Sequence, residues 1–312
     1  MSYYIGVDGG GTKTAFSLFD EDKNVVKTVF GPGSNHENLD GAFDDASEII
    51  WDGICALVSE AGITFDDVAF TLMGLAGIDH QFQHDIMCAK LEEKGLSNFA
   101  VYNDGFIVVQ AGSESGAAIG YNCGTGTCCN AIDSRGNMLQ LAGLGECTGD
   151  IGNGTWIAQT AFRLIYDEVY LGLEPTQITK LYYERFNLSS REEFMATVAK
   201  LETEEAPVYI KTLIDFFFTA AANADTPALR KIDEMAKRGA QFISALANQM
   251  EFDGDEIEVV LSGSMHTKLP NDVYINKMHD YAESMCGRKL KFIKLDKEPV
   301  TGCVNWIFRQ YK

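Results

Sequence analysis

The stretch Gly6-Val7-Asp8-Gly9-Gly10-Gly11-Thr12-Lys13-Thr14 lies between apolar Tyr3-Tyr4-Ile5 and the alternating run Ala15-Phe16-Ser17-Leu18-Phe19. Residues suited to a pleated, half-buried surface flank the glycines on both sides, so the spacing predicts a β-hairpin with a glycine tip. Consecutive glycines expose backbone N–H groups and let a bulky anion approach the chain closely. Thr12 and Thr14 add hydroxyls and Lys13 a mobile positive charge. Asp8, at the end of the first strand, would repel a bare phosphate but suits one that arrives with Mg²⁺. The loop reads as a seat for a metal-bound nucleotide, although a plain glycine turn would have the same composition.

A second copy decides between the two readings. Ile119 to Asp133 again runs strand, Gly/Thr loop (Gly124-Thr125-Gly126-Thr127), strand, and closes in a polar turn at Ser134-Arg135-Gly136-Asn137, as the first copy closes at Asp20-Glu21-Asp22-Lys23-Asn24. Two such hairpins imply a duplicated α/β fold with two phosphate-gripping loops facing each other across a cleft. At 312 residues the chain exceeds one comfortable core, and two lobes are expected. The boundaries fall at about 1–116 and 117–297, and the last helix, about 298–312, can pack back on the first lobe. Periodicity places a helix from Leu39 to Ala61, a buried strand at Val68–Met73, a helix capped by Asp79, and a short strand Phe99–Tyr102 that delivers Asn103-Asp104-Gly105 to its C-terminal end, where ligands sit in open α/β sheets. Residues 176–250 read as wholly helical, an insertion in the second lobe.

Composition excludes several classes. Hydrophobic residues at 46% and charged residues at 22% describe an ordinary globular chain, and the net charge of −20 leaves no basic surface for nucleic acid. No apolar run is long enough to span a bilayer, and no leader pattern opens the chain. The eight cysteines form no CxxC pair and meet no histidine at ligand spacing, which reads as buried free thiols in a reducing, cytoplasmic setting.

The motifs VDGGGTKT and GTGT, the aspartate of YNDG and the late LSGSM stand in the order of the phosphate, catalytic and adenosine motifs of the actin-like ATPase and sugar kinase superfamily. More closely, GPGSNHEN, GLAGID and GLGECTGDIGNGTWIA resemble the BadF/BadG/BcrA/BcrD ATPase family and its N-acetylglucosamine kinase-like branch. The resemblance implies a ribonuclease H-like two-lobe fold and an ATP- and Mg²⁺-dependent sugar kinase, with a sugar as its small-molecule partner and a homodimeric assembly. It makes Asp104 the general base, where the residues alone also allow a helix cap. It gives Asp8 to Mg²⁺, and Gly10, Gly11, Thr12, Lys13, Gly124, Thr125, Gly126 and Thr127 to the phosphates, with Lys13 equally readable as an exposed hairpin lysine. Gly263 and Ser264 match the adenosine loop, although a strand-to-helix turn would look the same.

For the acceptor, Asn35, Gly143, Gly145 and Asp150 match sugar-binding positions, with Asp104 at the reacting hydroxyl. Asp150 could equally cap the helix at Trp156. Leu144 stands where the N-acetylglucosamine kinase pattern has tryptophan, so a flat stacking surface becomes a branched one. Glucosamine, N-acetylglucosamine, N-acetylmuramic acid and other hexoses all stay open.

Three rivals are weaker. An iron–sulfur activator of a CoA-ester dehydratase or reductase would use clustered cysteines, but adjacent Cys128 and Cys129 point to opposite faces of a strand. A sugar-sensing repressor would need a DNA-binding module ahead of Asp8, which only seven residues precede. An actin-type structural ATPase would not need the polar set Asn35, Asp104 and Asp150.

Overall fold

The computed structural model describes residues 2–124 and 126–312. Two five-stranded sheets repeat one topology. In the first, β1 (Tyr3–Gly9), β2 (Lys13–Phe19) and β3 (Val25–Pro32) form an antiparallel meander, and β4 (Val68–Leu75) and β5 (Phe99–Tyr102) add in parallel on the other side of β1, giving the order β3-β2-β1-β4-β5. In the second, β6 (Ala118–Cys123), β7 (Thr127–Ile132) and β8 (Met138–Leu141) form the meander, and β9 (Glu256–Ser262) and β10 (Lys289–Lys294) add in parallel beside β6. Matched end to end, β6 to β10 stand in the places of β1 to β5. The two glycine loops therefore occupy the same position in each half, at the tip of the first hairpin.

The helices follow the same duplication. The first half carries α1 (Phe43–Ala61) before β4, α2 (Gln81–Glu93) before β5 and α3 (Asp104–Gly112) after β5. Helix α1 buries Ala46, Ile50, Ile54 and Leu57 on one face and ends at Gly62, which takes the left-handed conformation its C-cap requires. The second half departs between β8 and β9, where α4 (Gly154–Leu171), α5 (Gln177–Phe186), α6 (Arg191–Ala196), α7 (Ala206–Ala222) and α8 (Thr226–Gln249) are inserted. The short α9 (Ser264–Thr267), α10 (Val273–Cys286) and α11 (Thr301–Gln310) complete the chain. Among the described residues no helix is long and apolar enough to cross a membrane.

Each sheet has its own apolar core, and a third cluster joins them. There α3 and α11 pack together, with Phe106, Ile107 and Val109 meeting Val300, Cys303, Trp306 and Ile307, while Tyr4 and Leu72 come from one sheet and Ala118 and Ile132 from the other. Helix α3, which begins at Asp104, is thus wedged between the halves.

Two local expectations are corrected. Asp79 does not cap α2: the Gln83 side chain accepts from the backbone N–H groups of Asp79 and His80, leaving the Asp79 carboxylate for other partners. The helix predicted from Leu39 starts at Phe43, because His36–Asn38 forms a separate 3₁₀ turn with Asn35 at its N-cap.

Candidate functional site

In the first hairpin, Gly10 N donates to Lys13 O at 3.0 Å and closes the tip. Gly11, Thr12 and Lys13 are exposed there. The Thr14 hydroxyl is not available to a ligand: it donates to Pro32 O at 2.8 Å and lies 2.9 Å from Ser34 Oγ. The Lys13 ammonium lies over the Phe30 ring, 5.6 Å from its centroid, on the outer strand β3. The GSNHEN segment is pressed against this tip. Ser34 N donates to Gly10 O at 3.0 Å, and a Cβ on Gly33 would strike the Gly11 carbonyl and lie 2.9 Å from Thr12 N. The same segment places Asn35 beside Gly77 in the loop after β4, with Asn35 Oδ1 accepting from Glu37 N at 3.0 Å. The tip of the first hairpin and the GSNHEN segment share one wall because their backbones touch at glycines.

Asp104 is the first helical residue of α3, and Asn103 is the cap, its Oδ1 accepting from Gly105 N at 2.8 Å. Capping is done by its neighbour, and the half-buried Asp104 carboxylate is left free of that role. Burial first, then the carboxylates of Asp8 and Asp79, push its pKa up to about 7, against a partial lowering by the backbone N–H groups of Gly105 and Asp104. Asp8, half-buried at the end of β1, is held up at about 6 by burial, with Lys13 lowering and Glu298 raising it. From the second sheet, Cys128 at the start of β7 faces the same group: burial first, then Asp104, keeps its thiol well above the ordinary range. Asp104 therefore stands between β1 of the first hairpin, through Asp8, and β7 of the second, through Cys128.

A polar network ties the halves together beneath it. Asp79 Oδ1 accepts from Asn103 Nδ2 at 2.9 Å and from Gln140 Nε2 at 2.6 Å, and Asn130 Nδ2 donates to Asn103 Oδ1 at 3.2 Å and Gln140 Oε1 at 3.3 Å. Asp79 and Asn103 come from the first half, Asn130 and Gln140 from the second. Sequence reasoning missed all four as site residues. Asp79 carried a usable signal, since it follows a buried strand as Asp104 does; Asn130 and Gln140 carried none, being single polar residues in strands.

In the second hairpin, Gly124 N donates to Gly126 O at 2.9 Å, and Gly124 O accepts from Gly154 N at the start of α4 at 3.0 Å. Thr127 is buried at the start of β7, and Thr125 lies outside the described residues. Gly263, at φ +84°, turns the chain from β9 into α9; a Cβ there would collide with the Cys123 carbonyl. Gly124 lies beside this turn, where a Cβ added to it would stand 3.9 Å from Gly263 Cα and Ser264 N. These two loops open on a cavity of about 390 Å³ walled by Ile210, Ile214, Met265 and Leu269, with the Lys211–Asp215 ion pair on its lining at 2.5 Å. Apolar walls with polar groups on the lining suit a purine and its ribose.

The acceptor loop, residues 142–153, is shaped by its own aspartate. Asp150 is buried; Oδ2 accepts from Gly143 N at 2.8 Å and Gly145 N at 2.9 Å, and Oδ1 from Thr148 Oγ1 at 2.9 Å. It does not cap α4, whose N-cap is Asn153, accepting from Trp156 N at 3.0 Å. Gly143, Gly145 and Asp150 are thus brought together, and the loop leaves β8 two residues after Gln140, whose amide donates to Asp79. Arg238 from α8 latches the far side, donating from Nε to Gly149 O at 3.1 Å and from Nη2 to Thr148 O. Leu144 is 60% exposed on this loop.

The site residues offer a magnesium ion oxygen donors, Asp8 foremost, in a pocket where like-charged carboxylates repel one another, which fits a hard divalent cation. All eight cysteines are unpaired, and among the described residues no group of three His, Cys, Asp or Glu side chains is placed to hold a metal by itself.

Comparison with known proteins agrees with this architecture. The BadF/BadG/BcrA/BcrD ATPase family model matches residues 5–304. An N-acetylmuramic acid/N-acetylglucosamine kinase of Clostridium acetobutylicum is 21% identical over 308 residues, covering 97% of both chains. Among solved structures, a candidate N-acetylglucosamine kinase from Chromobacterium violaceum superposes with a TM-score of 0.66 at 20% identity, covering 97% of this chain and 98% of that one. A ROK hexokinase from Thermus thermophilus superposes at 0.62 with 16% identity, covering 99% and 100%. The fold is the two-lobe α/β fold of the actin-like ATPases and sugar kinases.

Proposed function

This chain belongs to the BadF/BadG/BcrA/BcrD ATPase family, and on that premise we propose that it is an ATP-dependent kinase that phosphorylates a hydroxyl of an amino sugar. The observation that carries the reading is Asp104: a carboxylate just past a strand's end, lifted to about 7 by burial and by the neighbouring Asp8 and Asp79, in a fold whose two halves each carry a glycine hairpin. Phosphoryl transfer asks for positioning, charge neutralisation and a base within reach of the attacking hydroxyl. Asp104 takes that proton. Gly10, Gly11, Thr12 and Lys13 approach the phosphates from one lobe, and Gly124, Thr125, Gly126 and Thr127 from the other, while Gly263 and Ser264 border the adenosine slot. Asp8 holds Mg²⁺, which would supply neutralising charge at the phosphates.

Asn35, Gly143, Gly145 and Asp150 hold the sugar, with Asp150 acting mainly by shaping the loop whose amides it binds. N-Acetylglucosamine, N-acetylmuramic acid and glucosamine are the substrates we rank first. With eight unpaired thiols, the cytoplasm is the compartment we propose. The test is a coupled ADP-release screen with Mg-ATP over hexoses and N-acylated amino sugars. Turnover stimulated by one of these sugars supports the reading; sugar-independent ATP hydrolysis alone overturns it.

The Arg238 latch gives a separate expectation. Its guanidinium satisfies two loop carbonyls from outside the site, so Arg238→Ala is expected to raise the sugar KM about tenfold while the ATP KM moves less than about twofold. Steady-state kinetics with the sugar found in the screen would check it, and equal rises in both constants would uncouple this loop from acceptor binding.

A further inference from the structure

The second-half core contains an arrangement that the reaction chemistry does not use. His266, one turn past the adenosine loop, is fully buried, and its Nδ1 faces two carbonyl oxygens, Ser262 O at 2.9 Å and Tyr121 O at 3.0 Å. Carbonyls only accept, so Nδ1 carries the proton and donates to both. The two acceptors lie on neighbouring parallel strands, where β6 and β9 run in register with Asn122 opposite Ser262. Just beyond Tyr121 the chain enters the Gly124–Thr127 loop, and just beyond Ser262 it enters Gly263-Ser264. The other ring nitrogen, Nε2, is buried without a hydrogen-bond partner among the described residues, and the Tyr121 and Tyr274 side chains pack against the ring. Those two rings flank the imidazole, with centroids 4.8 and 5.9 Å away.

A buried histidine that leaves one nitrogen unpaired is an expensive way to fill space, and an apolar residue of similar size would avoid the loss. What it supplies is one N–H that clips two strand ends. Neighbouring contacts leave those ends little freedom: Gly263 presses on the Cys123 carbonyl, Ser262 Oγ donates to Asn122 Oδ1 at 3.0 Å, and the Thr267 hydroxyl donates to Gly263 O at 2.9 Å. We infer that His266 is a positioning residue for nucleotide binding, its Nδ1–H fixing the spacing between the second phosphate loop and the adenosine turn.

The inference rests on the nucleotide role proposed for those two loops, and the experiment separates the two. MgADP affinity is measured by calorimetry on the full-length protein and on His266→Asn, His266→Gln and His266→Leu, with the thermal midpoint of each. The Asn amide nitrogen reproduces the position of Nδ1, and the Gln amide nitrogen that of Nε2. Expected are about tenfold weaker MgADP binding in His266→Leu, recovery to within about threefold in His266→Asn, and none in His266→Gln, because only the first amide can reach both carbonyls. Unchanged affinity in a folded His266→Leu, or rescue by Gln in place of Asn, overturns the inference even if Leu or Gln lowers the thermal midpoint. Should the unaltered protein fail to bind MgADP, the nucleotide reading itself fails and takes this one with it.

Discussion

Asp104→Asn is expected to turn over about 10²–10⁴-fold more slowly than the unaltered enzyme, with MgADP affinity nearly unchanged. The substitution keeps the side chain's size and its place at the start of α3, where Asn103 does the capping. It removes only the ability to take a proton. The pH profile separates this role from simple loss of packing. Because burial and two neighbouring carboxylates raise Asp104 to about 7, its basic form is lost as pH falls through that value. The logarithm of kcat/KM is therefore expected to climb with unit slope up to about pH 7 and then level off, steepening below about pH 6 as Asp8 is also protonated. Residual activity of the Asn variant should keep only the lower inflection.

The same shift makes a statement about stability. From the ordinary carboxyl value of 3.8 up to about 7, the folded protein holds a proton that the unfolded chain has released. This group's contribution to stability is thus present at low pH and lost as pH rises through about 7. Asp104→Asn is accordingly expected to raise the thermal midpoint at pH 8 while it abolishes most turnover. A full-activity Asn variant, or one with the unaltered pH profile, would remove Asp104 from the role of base.

How much of this was legible beforehand depends on how local each signal is. Both glycine hairpins, the meander that follows each and the long helical insertion were readable, because strand alternation and glycine clustering are properties of consecutive residues. Asp104 was readable for the same reason, standing just after a short strand. The capping assignments were not: Asp79, Asp104 and Asp150 each had cap chemistry near a helix start, but His80, with Gln83 closing its capping box, Asn103 and Asn153 take those positions. Sequence spacing cannot say which of two nearby polar residues takes the helix end; the partners each side chain meets in the fold decide. Asp79 is drawn away by Asn103 and Gln140, and Asp150 by the amides of Gly143 and Gly145. Arg238 and His266 were invisible for a stronger reason, since each acts on backbone carbonyls, those of Thr148, Gly149 and Tyr121 far away in the chain, and carbonyls leave no mark on the sequence.

Gly302→Ala is the stability change expected to do most harm, although Gly→Ala near the start of a helix would ordinarily stabilise by about 0.5–1 kcal/mol. Gly302 is the second residue of α11, at its crossing with α3. A Cβ there would fall inside the Ile107 carbonyl oxygen and lie 2.8 Å from its carbon and 2.9 Å from Ala111 N. These are backbone atoms of a helix and cannot swing aside, so the helices must separate. A second notch is strained with it: Gly6 of β1 lies under the same helix, where a Cβ would stand 2.9 Å from Cys303 Cβ and 3.1 Å from Val300 Cγ2. Separation would loosen the cluster of Ile107, Val304, Trp306 and Ile307 that joins the sheets. Overpacking of this kind costs about 1–3 kcal/mol and more where backbone must move, which outweighs the helical gain. A fall of the thermal midpoint by roughly 2–5 °C is expected. Because α3 carries Asp104, kcat should fall with it, even well below the new midpoint. A midpoint equal to or above that of the unaltered protein would show that α11 is not held against α3 at this glycine.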